Sequence, residues 1–173
     1  MSEIHALYRE AGKFHGHSCP GLAIGVRAAA EALRILEVED SDRKDLSCIA
    51  ESGACYLDGI QTVFGATLGT SSIEVCQRGK VAFNFYNEGK GKSVRLYLLD
   101  SPAGLSREES TERYLTAPFE SVFKVTPVQF EPKPYVAASR EERHCSRCGE
   151  STREAFLKVI DGEALCQDCA EKQ

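Results

Sequence analysis

The run 71-SSIEVCQRGKVAFNFYNEGKGKSVRLYLLD-100 decides the fold class. It divides into three β-prone stretches, 71–76, 80–87 and 93–100, separated by QRG and EGKG. The separators carry glycine where turns need it, and the last two stretches alternate apolar with polar residues, which predicts an antiparallel meander with one wet face. LSCIAE, 46–51, is expected as a further strand. Helical periodicity lies outside this run. From Pro20, the apolar residues Leu22, Val26, Ala29, Leu33 and Leu36 recur at 4, 3, 4 and 3 residues and define one face. Pro20 suits a first helical position, where its missing N–H costs nothing. The same helix is rich in Gly21, Ala23, Gly25, Ala28, Ala30 and Ala32, leaving room for a close neighbour. Ser2 to Gly12 is predicted as a short helix, and CYLDGIQTVFG (55–65) as another ending at Gly65. Ser106 and Glu109 form a capping-box pair opening a helix through Tyr114. Phe119 to Lys124 is read as one more helix. Helices and strands segregate along the chain, so the class is α+β, an antiparallel sheet packed with helices.

Composition fits a folded protein. Of 173 residues, 42% are apolar and 27% charged, which excludes a disordered chain. No apolar run approaches the ~18–20 residues that cross a bilayer, and MSEIHALYRE lacks the apolar region of a signal peptide. A soluble, cytoplasmic protein without a membrane partner is expected. The net charge of −5 argues against general nucleic-acid binding, which needs a basic surface. Eight cysteines in such a chain point to metal or thiol chemistry before disulfides.

Those cysteines fall into two sets. Between them lies VTPVQFEPKPYVAASREER (125–143), where Pro127, Pro132 and Pro134 predict an extended arm. The boundary is placed at Ala138, giving a core domain, 1–138, and a C-terminal module, 139–173. Cys145-x2-Cys148, 17 residues, then Cys166-x2-Cys169 is the strongest motif. Each two-residue gap lets a tight turn present both sulfurs to one ion, and four thiolates complete a tetrahedron around Zn²⁺. AFLKVI and EALC flank Asp161-Gly162, a hairpin turn, so the module reads as a treble clef or zinc ribbon. Two disulfides or a redox pair rank behind. Four cysteines leave no open coordination position, so this zinc is structural, and in a module of this size the metal must contribute the folding free energy. Arg140 to Gln173 holds six basic and eight acidic residues, which favours a protein contact over DNA.

In FHGHSCPG (14–21), His15, His17 and Cys19 alternate. Pro20 pushes Cys19 to an extended conformation. If the preceding residues are extended too, all three side chains project to one side, a good set for a transition metal. Cys19 also abuts a helix N-terminus, which favours thiolate. The plainer alternative is a histidine-capped helix start with a buried thiol. Cys55 is the natural distant partner, with Asp58 and Gln61 three and six residues on along one helix face; a solvated face explains those two equally well. Cys48 is expected in the core, and Cys76 has no evident partner.

HGHSCPGLAIGVR, then CYLDGIQTVFGATLG, then GKVAFNFYN resemble the FmdE family, named for a component of formylmethanofuran dehydrogenase, over residues 15–98. The four-cysteine module is similar to the treble-clef finger that some members carry. The resemblance implies an α+β core, a homodimer, and a site around His17, Cys19 and Cys55 with Asp58 and Gln61 nearby. One departure is Ala66, where family members tend to have a cysteine, so a site needing that thiol would be altered or lost. The family name is not an activity: this chain has no C-x2-C-x2-C cluster run, and it is not expected to act as a formylmethanofuran dehydrogenase on its own.

Three functional readings follow. The first is a dimeric metal-binding accessory or regulatory protein, with structural zinc in the finger, a second divalent metal at His17, Cys19 and Cys55, and His15 and Gln61 contacting a small ligand. The second is a thiol- or metal-dependent enzyme with Cys19 as nucleophile, a histidine as base and Asp58 or Gln61 orienting it. The third is an adaptor that binds a protein partner through the finger.

Overall fold

In the computed structural model, which describes residues 2–132 and 141–172, the N-terminal part runs α1 (Glu3–His15), α2 (Pro20–Ile35), β1 (Leu46–Ala50), α3 (Tyr56–Phe64), β2 (Ile73–Val75), β3 (Ala82–Asn87), β4 (Lys92–Leu98), α4 (Arg107–Thr116) and β5 (Phe123–Thr126). The C-terminal part runs β6 (Glu142–His144), β7 (Ser151–Arg153), β8 (Lys158–Ile160), β9 (Glu163–Leu165) and α5 (Gln167–Glu171). The chain divides into two compact units, 1–133 and 134–173. Ala138, the expected boundary, lies outside the described residues.

The α+β class holds, and the sheet is mixed. Its order is β2-β1-β3-β4-β5. β3 and β4 form the expected antiparallel hairpin, but β2 pairs parallel with β1, Cys48 opposite Ile73, and does not touch β3. Parallel neighbours need a crossover, and α3 supplies it: LSCIAE, the helix at 56–64 and IEV form one βαβ unit. The helix expected at Phe119–Lys124 is a single 3-10 turn, Phe119–Ser121, followed by strand β5 against the free side of β4. FKVT offers the β-branched and aromatic residues that an edge strand favours.

β3 also lacks the expected wet face, being buried at every residue. Phe83 and Phe85 point to the helices, with Phe85 packed on Phe64 at 4.8 Å between centroids. On the opposite face, Asn84 accepts from the Gln129 N–H at 3.1 Å, and the Tyr86 hydroxyl donates to the Phe130 carbonyl. Residues 127–130 of the proline-containing arm therefore shelter this face. Beneath them Arg95 donates to both carboxylate oxygens of Glu51, Nη2 to Oε2 at 2.9 Å, and Asn84 donates to Oε1 at 3.0 Å.

The apolar stripe of α2 is buried as expected, with Leu22, Val26, Ala29 and Leu36 inside the core. Each large aliphatic side chain removed from water contributes about 1.5–3 kcal/mol. The small residues of α2 admit α3 at close range. A Cβ on Gly25 would overlap the backbone of Tyr56, and one on Gly59 would lie 2.6 Å from the Val26 nitrogen. This backbone-to-backbone crossing brings the first residues of α2 and α3 together, and it builds the site.

Candidate metal centres

Cys19 and Cys55 are the N-cap residues of α2 and α3. Cys19 is extended, φ −156° and ψ 159°, as a residue before proline must be, and its sulfur accepts the Leu22 N–H at 3.3 Å. Gly21 keeps the second thiol close, since a Cβ there would lie 3.1 Å from the Cys55 Cβ. The Tyr8 hydroxyl donates to the Cys19 carbonyl at 3.1 Å and ties α1 to this corner.

α1 is longer than its sequence suggests. It passes Gly12 and ends at His15, where Gly16 at φ +86° caps it by donating to the Gly12 carbonyl. His15 is therefore the last residue of a helix, and the strand-like alternation of His15, His17 and Cys19 is replaced by a helix end, a glycine turn and an N-cap. The three side chains still converge. One ligand atom from each of His15, His17, Cys19 and Cys55 lies within 4.8 Å of every other.

Asp58 and Gln61 stand behind this cluster. His15 Nδ1 lies 2.6 Å from Asp58 Oδ2, Gln61 donates to Asp58 Oδ1 at 3.2 Å, and the Leu68 N–H donates to Gln61 Oε1 at 3.1 Å. An Nδ1–H donated to the carboxylate leaves Nε2 as the free donor, 3.7 Å from the Cys19 sulfur. Carboxylate, imidazole and soft donor are thus arranged as in histidine metal ligation, so Asp58 contacts the histidine rather than the convergence point. Burial, followed by the neighbouring Cys19, pushes the Cys55 thiol up from its ordinary value. A divalent cation reverses that penalty by sitting between the sulfurs. Two imidazoles and two thiols suit zinc, cobalt or another borderline transition ion.

Ala66 is buried in the apolar core just past α3, outside the ligand set. The four donors assemble without a thiol at that position. Cys48 is buried within β1, where burial pushes its thiol well up. Cys76 is half-buried just after β2. Tyr8 and the Leu22 and Leu68 amides were not read as site residues, because backbone donors carry no sequence signal.

The finger reaches the same ligand number by a local route. Cys145, Cys148, Cys166 and Cys169 also lie with their sulfurs within 4.8 Å of one another. The first pair sits in a knuckle between β6 and β7 that turns at Gly149, φ +76°; Cys166 caps α5, and Cys169 lies inside it. Asp161 and Gly162, both at positive φ, close the β8–β9 hairpin. Knuckle, hairpin and helix start are treble-clef parts. Backbone N–H groups of Cys148 and Cys166 hold the Cys145 thiol down at about 6, whereas burial, then Cys166, pushes Cys169 up to about 12. Four crowded sulfurs of such unequal acidity are a donor set for one cation.

A model of the FmdE family, described as the molybdenum formylmethanofuran dehydrogenase operon family, matches residues 14–124, well over half of the chain. The chain belongs to the FmdE family. The match includes the HGHSCPG element, Cys55, Asp58 and the five-stranded sheet. A probable S-adenosyl-L-methionine-binding protein of Archaeoglobus fulgidus is 31% identical over 98% of this chain, which spans 54% of that protein, about half its length. The crystal structure of an FmdE-like protein of the tungsten formylmethanofuran dehydrogenase type from Syntrophus aciditrophicus is similar in fold. Its TM-score is 0.73 at 19% identity, covering 98% of this chain and 93% of that one. Among the described residues no helix is long and apolar enough to cross a membrane.

Proposed function

We propose that this FmdE-family protein is a metal-binding accessory or regulatory protein. Its finger carries structural zinc, and its core holds a second divalent transition metal through His15 Nε2, His17, Cys19 and Cys55. One observation carries the reading: four soft or borderline donors converge within 4.8 Å where two helix starts meet a helix end. Asp58 orients His15, and Gln61 with the Leu68 amide orients Asp58. When bound, the metal supplies a Lewis-acidic point for a small ligand. The protein works as a homodimer, as the family resemblance implies, and its acidic finger serves a protein contact. Small-ligand binding, the role named for the archaeal relative, fits this core.

The test is a metal count on the full chain after dialysis. Two metals per chain are expected, falling to one in His15→Ala and in Cys55→Ala. One metal in the unmodified protein contradicts the core site.

A second reading rests on the same corner. His15 Nε2 lies 3.7 Å from the Cys19 sulfur, with Asp58 on its far nitrogen, a nucleophile, base and orienting carboxylate in sequence. That reading expects Cys19 to be alkylated by iodoacetamide far faster than Cys55 in metal-free protein, with Asp58→Asn slowing it. The metal reading expects added zinc to abolish alkylation of both.

A further inference from the structure

The four core donors are held unequally. His15 is fixed at a helix end by Asp58, with its side chain 9% exposed. Cys19 is buried, receives the Leu22 amide, and is tethered through its carbonyl by Tyr8. Cys55 caps α3 against Gly21 at the helix crossing. His17 differs from all three. It is exposed, belongs to no helix or strand, and lies between two exposed residues, Gly16 and Ser18. A side chain at Gly16 would meet nothing within 4 Å. Among the described residues no hydrogen bond orients the His17 ring, whose neighbour is the His15 ring at 4.3 Å. An imidazole ligand normally has its second nitrogen held by a carboxylate or carbonyl, and His15 does while His17 does not.

Beside the cluster lies a cavity of about 220 Å³, lined by Tyr8, Ser18, Cys19, Pro20, Arg107 and Thr111 among others. It shares Cys19 with the ligand set and Ser18 with the loop that carries His17. At this volume it is smaller than the ~300–1,000 Å³ of sites for drug-sized molecules.

From these observations we infer that His17 is the exchangeable ligand of the core site, yielding its position to the sulfur or nitrogen donor of a small molecule seated in the adjoining cavity. This rests on the metal reading above. The other three donors are built into helix ends and keep the ion; His17 can swing out on the Gly16 turn without disturbing a helix. A position made for imidazole in a thiolate-containing set takes soft or borderline single donors, a thiolate or an imidazole nitrogen, ahead of a carboxylate. When the incoming group is a thiol, its sulfur bonds where the His17 nitrogen leaves, and its proton passes to the released imidazole.

The experiment uses full-length protein loaded with cobalt(II), the spectrum of cobalt-loaded Cys55→Ala being subtracted to remove the finger. Imidazole, 2-mercaptoethanol and acetate serve as probes. His17→Ala is expected to retain two metals per chain, whereas His15→Ala retains one. Imidazole and 2-mercaptoethanol should shift the core bands of the unmodified protein, and should do so in His17→Ala at concentrations at least tenfold lower. Acetate should shift neither. Loss of the core metal in His17→Ala would show His17 to be a fixed ligand and overturn the inference. So would core bands that ignore imidazole and 2-mercaptoethanol in both proteins, or that answer acetate equally. A protein that binds cobalt only in the finger defeats the metal reading itself, and the metal count separates that outcome from the others.

Discussion

The two clusters have the same number of donors and opposite origins. In the finger, four cysteines stand within 25 residues, and the buried cluster around them consists of Cys145, Leu165, Cys166 and Cys169. Three of its four members are the ligands themselves, so without an ion little apolar surface remains to hold the hairpins together. In the core, the ligands come from residues 15 to 55 and rest on a large apolar interior that includes Phe64, Phe83, Phe85, Leu96 and Phe123. There the fold makes the site; in the finger the site makes the fold.

The largest effect expected from this contrast is complete. A strong chelator should abolish slow amide exchange in 141–172 and leave 46–50 and 82–98 protected, as read by hydrogen exchange. Loss of protection in both regions, or in neither, would break the comparison.

Next in size is the helix crossing. Gly25→Ala places a methyl group against the Tyr56 backbone, where neither helix can yield alone. Overpacking of this kind costs about 1–3 kcal/mol, and the clash with main chain puts this substitution at the upper end. Thermal unfolding should show the core transition lowered and the finger's metal affinity unchanged, because the crossing serves only the core.

Asp58→Asn probes the support of a ligand rather than the ligand. Loss of such a partner typically weakens metal binding by about 10–100-fold. Competition with a chromophoric chelator should detect one weakened site and one unchanged site per chain.

The smallest effect concerns acid. Arg95, followed by Asn84, holds the Glu51 carboxyl below its ordinary value although burial opposes this. A carboxylate depressed in the folded state contributes stability above its unfolded pKa, about 4.3, and loses that contribution as the pH falls through the lower folded value. Core stability should therefore decline as the pH is lowered from about 4, and Glu51→Gln should show a shallower decline from a lower starting point. Identical slopes would contradict the role given to this pair.

How much of this was legible depended on distance along the chain. The finger's ligands, its Asp161-Gly162 turn and its closed ligand set follow from local spacing. So do the α2 stripe and the Ser106–Glu109 capping box, whose reciprocal bonds are present. The partner of IEV was not legible: a three-residue strand carries no register information, and its parallel place beside β1 depends on the length of α3 and the loop after it. The end of α1 was misplaced because Gly12 resembles a stop, while the left-handed cap stands at Gly16. The buried Glu51–Arg95 pair was invisible, since 44 residues separate its members and each resembles a surface charge. In the core site the residue types were evident, but their joining depends on a helix crossing that only Gly25 and Gly59 hint at.

X-ray absorption of the zinc-loaded full chain tests the central claim most directly. One site with two imidazoles and two thiolates plus one with four thiolates gives, averaged over both ions, one nitrogen at about 2.0–2.1 Å and three sulfurs at about 2.3 Å. That shell, at two zincs per chain, is the expected result. A shell of four sulfurs alone, at one zinc per chain, would contradict it.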